Sequence, residues 1–223
     1  MEIWLDTINL ELIKHAHALG ILHGVTTNPS ILSKADSSIE QLLEKILEIQ
    51  SGPITLQVVA DEVFDMVQQG KKWHSFSERI LIKVPVTQIG LEAMHLLSRE
   101  GIPTMATVVF HPSQALMAAL AGAHYIAPYF GRMLDAGLDA FAHLKSMQNH
   151  LVQYQLKSKL LVASLRTKEQ ILTCADLGVG AITLKDALFL DFIQDNPLTL
   201  QCIKTFADDW KSKQMINAKM ITK

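Results

Sequence analysis

The feature that most constrains this chain is a regular alternation between short apolar or β-branched runs and longer segments of helical periodicity. Eight such runs occur, with no Gly/Ser-rich linker or low-complexity tract between them. They span residues 3–6, 25–27, 54–59, 80–86, 104–109, 125–128, 160–163 and 181–184. Eight strand-helix pairs predict a single α/β domain, a parallel (β/α)8 TIM barrel, rather than an open sheet.

Two segments depart from this alternation. Residues 135–156 form a longer stretch than one crossover helix needs, and Asn196-Pro197 begins a helix through Trp210 that no strand follows. This last helix could pack on a neighbouring subunit. The pattern therefore predicts a barrel with a C-terminal helix over residues 1–213, and an arm or flexible tail over 214–223.

Composition limits the classes of partner. Lys and Arg number 20 against 22 Asp and Glu, so no general attraction to nucleic acid or acidic membranes is expected. Residues 101–131 carry no charged side chain but include histidine, glutamine and proline, which favours a buried strand, helix and strand over a membrane span. The start of the chain lacks the pattern of a secretion signal, so we expect a cytoplasmic protein.

The cysteine content agrees with that location. Cys174 and Cys202 are the only cysteines, too few for a disulfide framework or a thiolate metal cluster. Both are expected to be buried, reduced thiols. A metal site built from histidines is also not indicated, because His15 and His17 are two apart on a helix and do not share a face. His111, near the end of the fifth strand, is the histidine that most needs a structural explanation.

The most informative side chain is Lys83, a lone amine within the apolar run 80–86. Burial disfavours the ammonium form and lowers the lysine pKa, which leaves a neutral amine able to attack a carbonyl. The alternative is a lysine at a strand end that reaches water or pairs with a carboxylate. Lys185 also follows a strand, but the adjacent Asp186 indicates an exposed, charged turn.

Other polar residues fall at the carboxyl ends of the predicted strands, where TIM barrels carry their active sites. Each has a simpler interpretation as a helix cap, turn former or packing residue. Their agreement on one rim favours a shared site. They are Asp6, Thr26, Asn28, Gln57, Thr107, Tyr129 and Ser164.

Two segments resemble a known family. Gly24-Val25-Thr26-Thr27-Asn28-Pro29-Ser30-Ile31 is similar to the signature of the transaldolase family, and Ile82-Lys83-Val84-Pro85 to its Schiff-base lysine segment. The similarity covers essentially the whole chain and is greatest to the small fructose-6-phosphate aldolases. Transaldolases typically carry Glu at the position of Gln57 and Ser-Pro-Phe in place of Ala127-Pro128-Tyr129, so these positions favour aldolase.

The resemblance implies reversible cleavage of fructose 6-phosphate to dihydroxyacetone and glyceraldehyde 3-phosphate through an imine on Lys83. It assigns acid-base work to Tyr129, through a water held with Gln57 and Thr107. It assigns contacts with the sugar hydroxyls to Asp6, Thr26 and Asn28. Phosphate binding is assigned to a group of three residues. That group is Arg132, Ser164 and Arg166, where Arg166 stands at a position at which the aldolases often carry Lys. The resemblance also implies a homo-oligomer, a pentamer or a decamer, and requires neither cofactor nor metal.

Two other functions remain open at this point. A transaldolase would transfer the dihydroxyacetone unit between sugar phosphates instead of releasing it. A barrel of this fold could also bind a sugar phosphate without turning it over, because fold does not determine activity. The pair Lys83 and Tyr129 favours catalysis over simple binding, and the natural donor and acceptor are not indicated by the sequence.

Overall fold

The computed structural model is a closed, all-parallel barrel of eight strands in sequential order β1 to β8, followed by a long helix. It describes residues 1–221, with side chains described through residue 214. The strands are β1 Glu2–Asp6, β2 Leu22–Thr26, β3 Ile54–Gln57, β4 Ile80–Pro85, β5 Thr104–Val109, β6 Tyr125–Pro128, β7 Lys159–Val162 and β8 Ala181–Leu184. The predicted (β/α)8 fold is confirmed, and three of the eight runs coincide with the strand bounds.

Helices connect the strands and follow the last of them along the chain. They are α1 Leu10–Ala18, α2 Pro29–Leu32, α3 Ile39–Ile49, α4 Val63–Phe76, α5 Gln88–Arg99, α6 Pro112–Leu120, α7 Phe130–Asp135, α8 Ala140–Gln153, α9 Lys168–Asp176, α10 Asp186–Phe192 and α11 Pro197–Ile221. The long segment after β6 is accounted for by two helices, α7 and α8, instead of one. Several of the turns that enter helices are capped by polar side chains, such as Asn9 at α1 and Thr87 at α5.

The barrel interior is built in layers, because alternate residues of each strand face inward. The middle layer is apolar and contains Trp4, Leu81, Met105, Ala127, Leu161 and Ala181. Gly24 makes room for this layer, since a Cβ atom there would lie 2.7 Å from the Trp4 ring. Towards the carboxyl ends of most strands, the next inward positions carry polar side chains, such as Asp6, Lys83 and Thr107.

A polar cluster closes the opposite, amino-terminal end of the barrel. The Glu2 carboxylate accepts hydrogen bonds from Lys159 Nζ at 2.6 Å, Tyr125 Oη at 2.8 Å and Trp4 Nε1 at 3.3 Å. Burial alone would raise the pKa of Glu2, but these hydrogen bonds and the nearby His23 outweigh it, and the pKa is lowered. Burial and, to a smaller extent, the hydrogen bond to the Glu2 carboxylate and its charge raise the pKa of Tyr125. We call these four hydrogen-bonded residues, Glu2, Trp4, Tyr125 and Lys159, the floor cluster.

The chain forms two compact units, Met1–Phe189 and Leu190–Lys223. In the second, α11 continues beyond Trp210 to Ile221, so much of the predicted tail is helical, and residues 222–223 lie outside the described part of the chain. Cys174 is buried, and burial raises the pKa of its thiol to about 12. The prediction for Cys202 was wrong: it is exposed on α11, because an apolar helical pattern identifies a face but not whether that face is covered.

None of the helices in the described residues combines the length and the hydropathy that crossing a bilayer would require.

Candidate active site

A cavity of about 640 Å³ opens at the carboxyl ends of the strands. Its walls come from the loops that follow β1, β2, β6, β7 and β8, and Lys83 of β4 also lines it. It brings together six of the ten predicted site residues, namely Asp6, Asn28, Lys83, Tyr129, Arg132 and Ser164. The fold therefore places these side chains, which are far apart in sequence, around one space.

Lys83 is the most deeply buried cation of the site, with 4% of its surface exposed. Its Nζ donates a hydrogen bond to the Thr27 carbonyl oxygen at 3.0 Å. Burial lowers the pKa of this amine, the Asp6 carboxylate acts in the opposite direction, and the charge of Arg132 lowers the pKa again. The amine is thus inside the barrel and biased toward its neutral form. The alternative of a lysine that reaches bulk water is wrong.

The carbonyl that receives Lys83 is itself held firmly. The Thr27 N–H donates to Thr55 Oγ1 at 3.0 Å, and Thr27 Oγ1 donates to the Thr55 carbonyl at 2.6 Å. Both threonines are fully buried. Sequence reasoning missed Thr27 and Thr55 as site residues, although Thr27 lies inside the recognised segment 24–31 and Thr55 is two positions before Gln57.

Asp6 and Thr26 form the second anchored group. Thr26 Oγ1 donates to Asp6 Oδ1 at 2.8 Å, and it also lies 2.7 Å from Thr183 Oγ1 of β8. Thr26 is fully buried, beneath the cavity wall that Asp6 lines. Thr183 is 4% exposed and was not predicted, yet the alternation from the buried Ala181 places it on the inner face.

Tyr129 is positioned by contacts on three sides. Its hydroxyl lies 3.0 Å from Thr107 Oγ1, its ring packs edge-on against Phe110 at 5.9 Å, and the Arg132 guanidinium lies 4.9 Å from the ring centroid. The resemblance groups Thr107 with Tyr129 in acid-base work, and the two hydroxyls are in direct hydrogen-bonding contact. Gln57 lies beside Lys83 in the β3–β4 register, so both side chains face the interior.

Two non-glycine residues of the rim have a left-handed backbone. Val108 has φ of 62° and Ser164 has φ of 64°. A β-branched residue rarely adopts this conformation, and such positions typically cost about 1–3 kcal/mol each. Val108 coincides with a register irregularity between β5 and β6, directly after Thr107. The irregularity therefore lies in the part of β5 that carries Thr107, the hydrogen-bond partner of Tyr129.

The predicted phosphate residues separate into two groups. Arg132 and Ser164 line the cavity, and the lack of a side chain at Gly131 lets the start of α7 approach the loop after β7, because a Cβ atom at Gly131 would lie 2.3 Å from the Ser164 carbonyl oxygen. Arg166 instead makes a two-pronged ion pair, in which Nη1 and Nη2 donate to the two carboxylate oxygens of Asp135. This pairing lowers the pKa of Asp135, and both side chains are largely exposed.

Comparison with known proteins adds the family. The family model described as transaldolase/fructose-6-phosphate aldolase matches residues 3–223. The chain belongs to this family. A protein of Nitrosopumilus maritimus named "Probable transaldolase" is 38% identical over 218 residues, which cover 97% of this chain and 98% of that protein. A Streptococcus pyogenes protein of the same name is 38% identical over 215 residues, covering 95% and 99%.

A more distant likeness concerns the fold alone. A solved structure of a mandelate oxidase mutant with a monooxide FMN adduct superposes with a TM-score of 0.57 at 15% identity. The match covers 82% of this chain and 62% of that chain. It agrees with the TIM-barrel architecture of this member of the transaldolase/fructose-6-phosphate aldolase family.

Further side chains at the site were not assigned from sequence. Lys34 and Lys185 line the cavity on the side of β2 and β8, and Lys185 is exposed, as the adjacent Asp186 had indicated. Asn28, which was predicted, has two roles in the structure. It lines the cavity, and as the N-cap of α2 its Oδ1 accepts a hydrogen bond from Ile31 N–H. His111 is explained as the N-cap of α6, with Nδ1 accepting from Ser113 N–H.

Among the described residues, no group of three or more His, Cys, Asp or Glu side chains is arranged so that it could hold a metal ion.

Proposed function

We propose that this protein is a Schiff-base aldolase that reversibly cleaves fructose 6-phosphate into dihydroxyacetone and glyceraldehyde 3-phosphate. The observation that carries the proposal is the amine of Lys83, buried in the barrel yet lining the cavity. A desolvated amine next to a cavity large enough for a sugar phosphate is suited to attack a carbonyl. Family membership supports the same chemical class.

The covalent step begins when neutral Lys83 attacks C2 of the open-chain ketose. Loss of water from the carbinolamine leaves a protonated imine, which attracts electrons. When the C3–C4 bond breaks, its electron pair moves toward C2 and the imine nitrogen becomes the neutral nitrogen of an enamine. Protonation of the enamine carbon and hydrolysis of the imine then release dihydroxyacetone and restore Lys83. The imine makes the cleavage accessible because no free carbanion forms.

Bond cleavage also requires removal of the proton on the C4 hydroxyl. We assign this to Tyr129, whose hydroxyl is oriented by Thr107 at 3.0 Å and whose ring is fixed by Phe110. A general base must be held within hydrogen-bond reach of the proton that it removes, and these contacts restrict the position of the phenol oxygen. Gln57, next to Lys83, would bind a water or a hydroxyl without titrating.

The phosphate is proposed to lie against Arg132 and Ser164. Arginine offers paired donors that match phosphate oxygens, and both residues line the cavity. A role for Arg166 as the third phosphate ligand remains a prediction. In the structure its two terminal nitrogens donate to the Asp135 carboxylate. Asp6 and Asn28, on the side of β1 and β2, are proposed to hold the hydroxyls of the dihydroxyacetone unit.

Transaldolase is the second candidate, because the relatives at 38% identity are named "Probable transaldolase". Both enzymes would form the same imine on Lys83. They differ in whether the dihydroxyacetone unit leaves by hydrolysis or is passed to an acceptor aldehyde. Gln57 and Tyr129 favour the aldolase by their resemblance to that subfamily.

Two assays separate these functions. Release of glyceraldehyde 3-phosphate from fructose 6-phosphate alone supports the aldolase, whereas release only when erythrose 4-phosphate is present identifies a transaldolase. Treatment with dihydroxyacetone and borohydride should add mass to the peptide that holds Lys83. A missing mass increase would contradict both enzymes and favour a barrel that only binds sugar phosphates.

We further propose that the protein assembles as a homo-oligomer, a pentamer or a decamer. Several large apolar side chains of α11 are exposed in the single chain, including Leu198, Ile203, Phe206 and Trp210. Exposed apolar faces of this kind are typical of surfaces that contact another chain. The mass in solution, measured by light scattering, tests the assembly, and a monomer at micromolar concentration would contradict it.

A further inference from the structure

Three side chains from three strands form a hydrogen-bonded row beneath the cavity. Thr183 Oγ1 of β8 lies 2.7 Å from Thr26 Oγ1 of β2, which lies 2.8 Å from Asp6 Oδ1 of β1. Both threonines are buried, with Thr26 at 0% and Thr183 at 4% exposure. Asp6, at the end of the row, lines the cavity together with Lys83.

The direction of the two hydrogen bonds follows from counting protons. An ionised carboxylate only accepts, so Thr26 must give its single hydroxyl proton to Asp6. Thr26 then has no proton left for its other neighbour. Thr183 must therefore be the donor in the contact between the two hydroxyls. The row runs in one direction, from Thr183 to Thr26 to Asp6, and donors in such a row polarise one another.

We propose that Thr183 is a positioning residue for the reaction, which orders the Thr26 hydroxyl so that Thr26 holds Asp6 Oδ1. With Oδ1 held by Thr26, Oδ2 is left for contacts with the ketose in the cavity that Asp6 and Lys83 both line. This inference rests on the proposed Schiff-base function. Without the Thr183 proton, Thr26 still donates to Asp6 but loses the contact that fixes its hydroxyl from the other side, and the carboxylate loses one of the constraints on its orientation.

The barrel itself provides a matched control. Thr104, the first residue of β5, is also fully buried, and its Oγ1 has no hydrogen-bond partner within the described residues. Replacing Thr104 by Val removes a buried hydroxyl from an interior strand, as Thr183→Val does, but breaks no hydrogen bond of the described structure. The two variants therefore separate the loss of a directed contact from the general effect of a Thr-to-Val change in the barrel.

The experiment measures imine trapping on Lys83 with dihydroxyacetone and borohydride, together with kcat and KM for fructose 6-phosphate. Thr183→Val should slow trapping and lower kcat by about fivefold, which is the effect of one ordinary hydrogen bond, and should change KM by less than about twofold. Thr183→Ser should restore both rates. Thr104→Val should keep wild-type rates.

A double mutant tests whether Thr183 acts through its neighbour. If it does, Thr26→Val combined with Thr183→Val should lose no more activity than Thr26→Val alone. Circular dichroism and the thermal midpoint report whether each variant is folded, and Thr183→Ala serves as a second removal of the hydroxyl if the valine variant does not fold.

Several results would overturn the inference. These are wild-type rates in Thr183→Val, no rescue by serine, fully additive losses in the double mutant, or an equal loss in Thr104→Val. If the wild-type protein itself fails to form the trapped adduct, the proposed function fails and this inference fails with it. If the imine is trapped on Lys83 of the wild type but Thr183→Val and Thr104→Val have equal rates, only the positioning role of Thr183 is wrong.

Discussion

Two lysines face the interior of the same barrel from opposite ends, and their surroundings differ. Lys159 of the floor cluster donates to the Glu2 carboxylate at 2.6 Å and keeps 54% of its side chain exposed. Lys83 is 4% exposed and donates to a neutral carbonyl, that of Thr27. A carboxylate and water surround Lys159 at one end, whereas burial destabilises the ammonium form of Lys83 at the other. The comparison teaches that partner and burial, rather than residue type, make an amine reactive.

The strongest way to break this comparison is to replace both lysines by methionine, which has similar length and no charge. Lys83→Met should abolish imine trapping and lower kcat by about a thousandfold or more, because the nucleophile is lost. Its thermal midpoint should equal or exceed that of the wild type, since a buried amine is replaced by an apolar chain.

Lys159→Met is the matched control for that experiment. It should lower the free energy of unfolding by about 1 kcal/mol, because the largely exposed Lys159 ammonium gains little from its pairing with Glu2, and leave kcat within about twofold of the wild type. The comparison fails if the two variants lose activity to the same extent. Imine trapping and thermal unfolding of both proteins supply the measurement.

The next largest effect is expected for Tyr129→Phe, which keeps the ring packed against Phe110 and removes the hydroxyl. Cleavage of fructose 6-phosphate should fall by about 10²–10⁴-fold, the usual contribution of a general acid-base group. Imine trapping should persist, because Lys83 is untouched. Equal loss of trapping and cleavage would contradict the acid-base assignment of Tyr129.

A smaller effect is expected at the phosphate end. Arg132→Ala should raise KM for a phosphorylated acceptor by about tenfold or more, as expected for a charge-assisted hydrogen bond, and change KM for glyceraldehyde much less. Arg166→Ala should also act selectively on the phosphorylated acceptor, but more weakly, because Asp135 occupies its terminal nitrogens. An equal rise for both acceptors would indicate a general structural role.

The smallest effect concerns acid stability at the floor cluster. The folded-state pKa of Glu2 is lowered, so its stabilisation is complete above the ordinary glutamate pKa and is lost as the pH falls through the folded-state value. Glu2→Gln should lower the free energy of unfolding at neutral pH by about 1 kcal/mol, and should weaken its decline in acid. Denaturant unfolding at several pH values measures both. An unchanged acid profile would contradict the role of Glu2.

Individual residues mark how far prediction from the sequence reached. The apolar run around Lys83 predicted its burial correctly, because a buried strand carries a strong local signal. Asn28 was interpreted either as a turn or cap residue or as a site residue, and in the structure it both caps α2 and lines the cavity. The predicted burial of Cys202 was wrong, because helical periodicity does not indicate whether a helix face is covered. Cytoplasmic location stays a prediction.

Arg166 illustrates the other limit. The sequence matches Arg166 to a phosphate-binding position of the family. Its ion pair with Asp135, however, depends on how the loop after β7 packs against α7. A contact of that kind is set by tertiary packing and has no period or motif in the chain. Its role toward phosphate remains a prediction for the kinetic comparison above.

Local hydrophobic periodicity is sufficient to predict the eightfold strand-helix alternation and the inward side of each strand. It places Lys83 and Thr107 on the barrel interior. The hydrogen bonds among Thr183, Thr26 and Asp6 emerge from the folded barrel alone, because they require the pairing of β1 with both β2 and β8. Closure and register of a barrel arise from long-range pairing, which no local segment of the chain encodes.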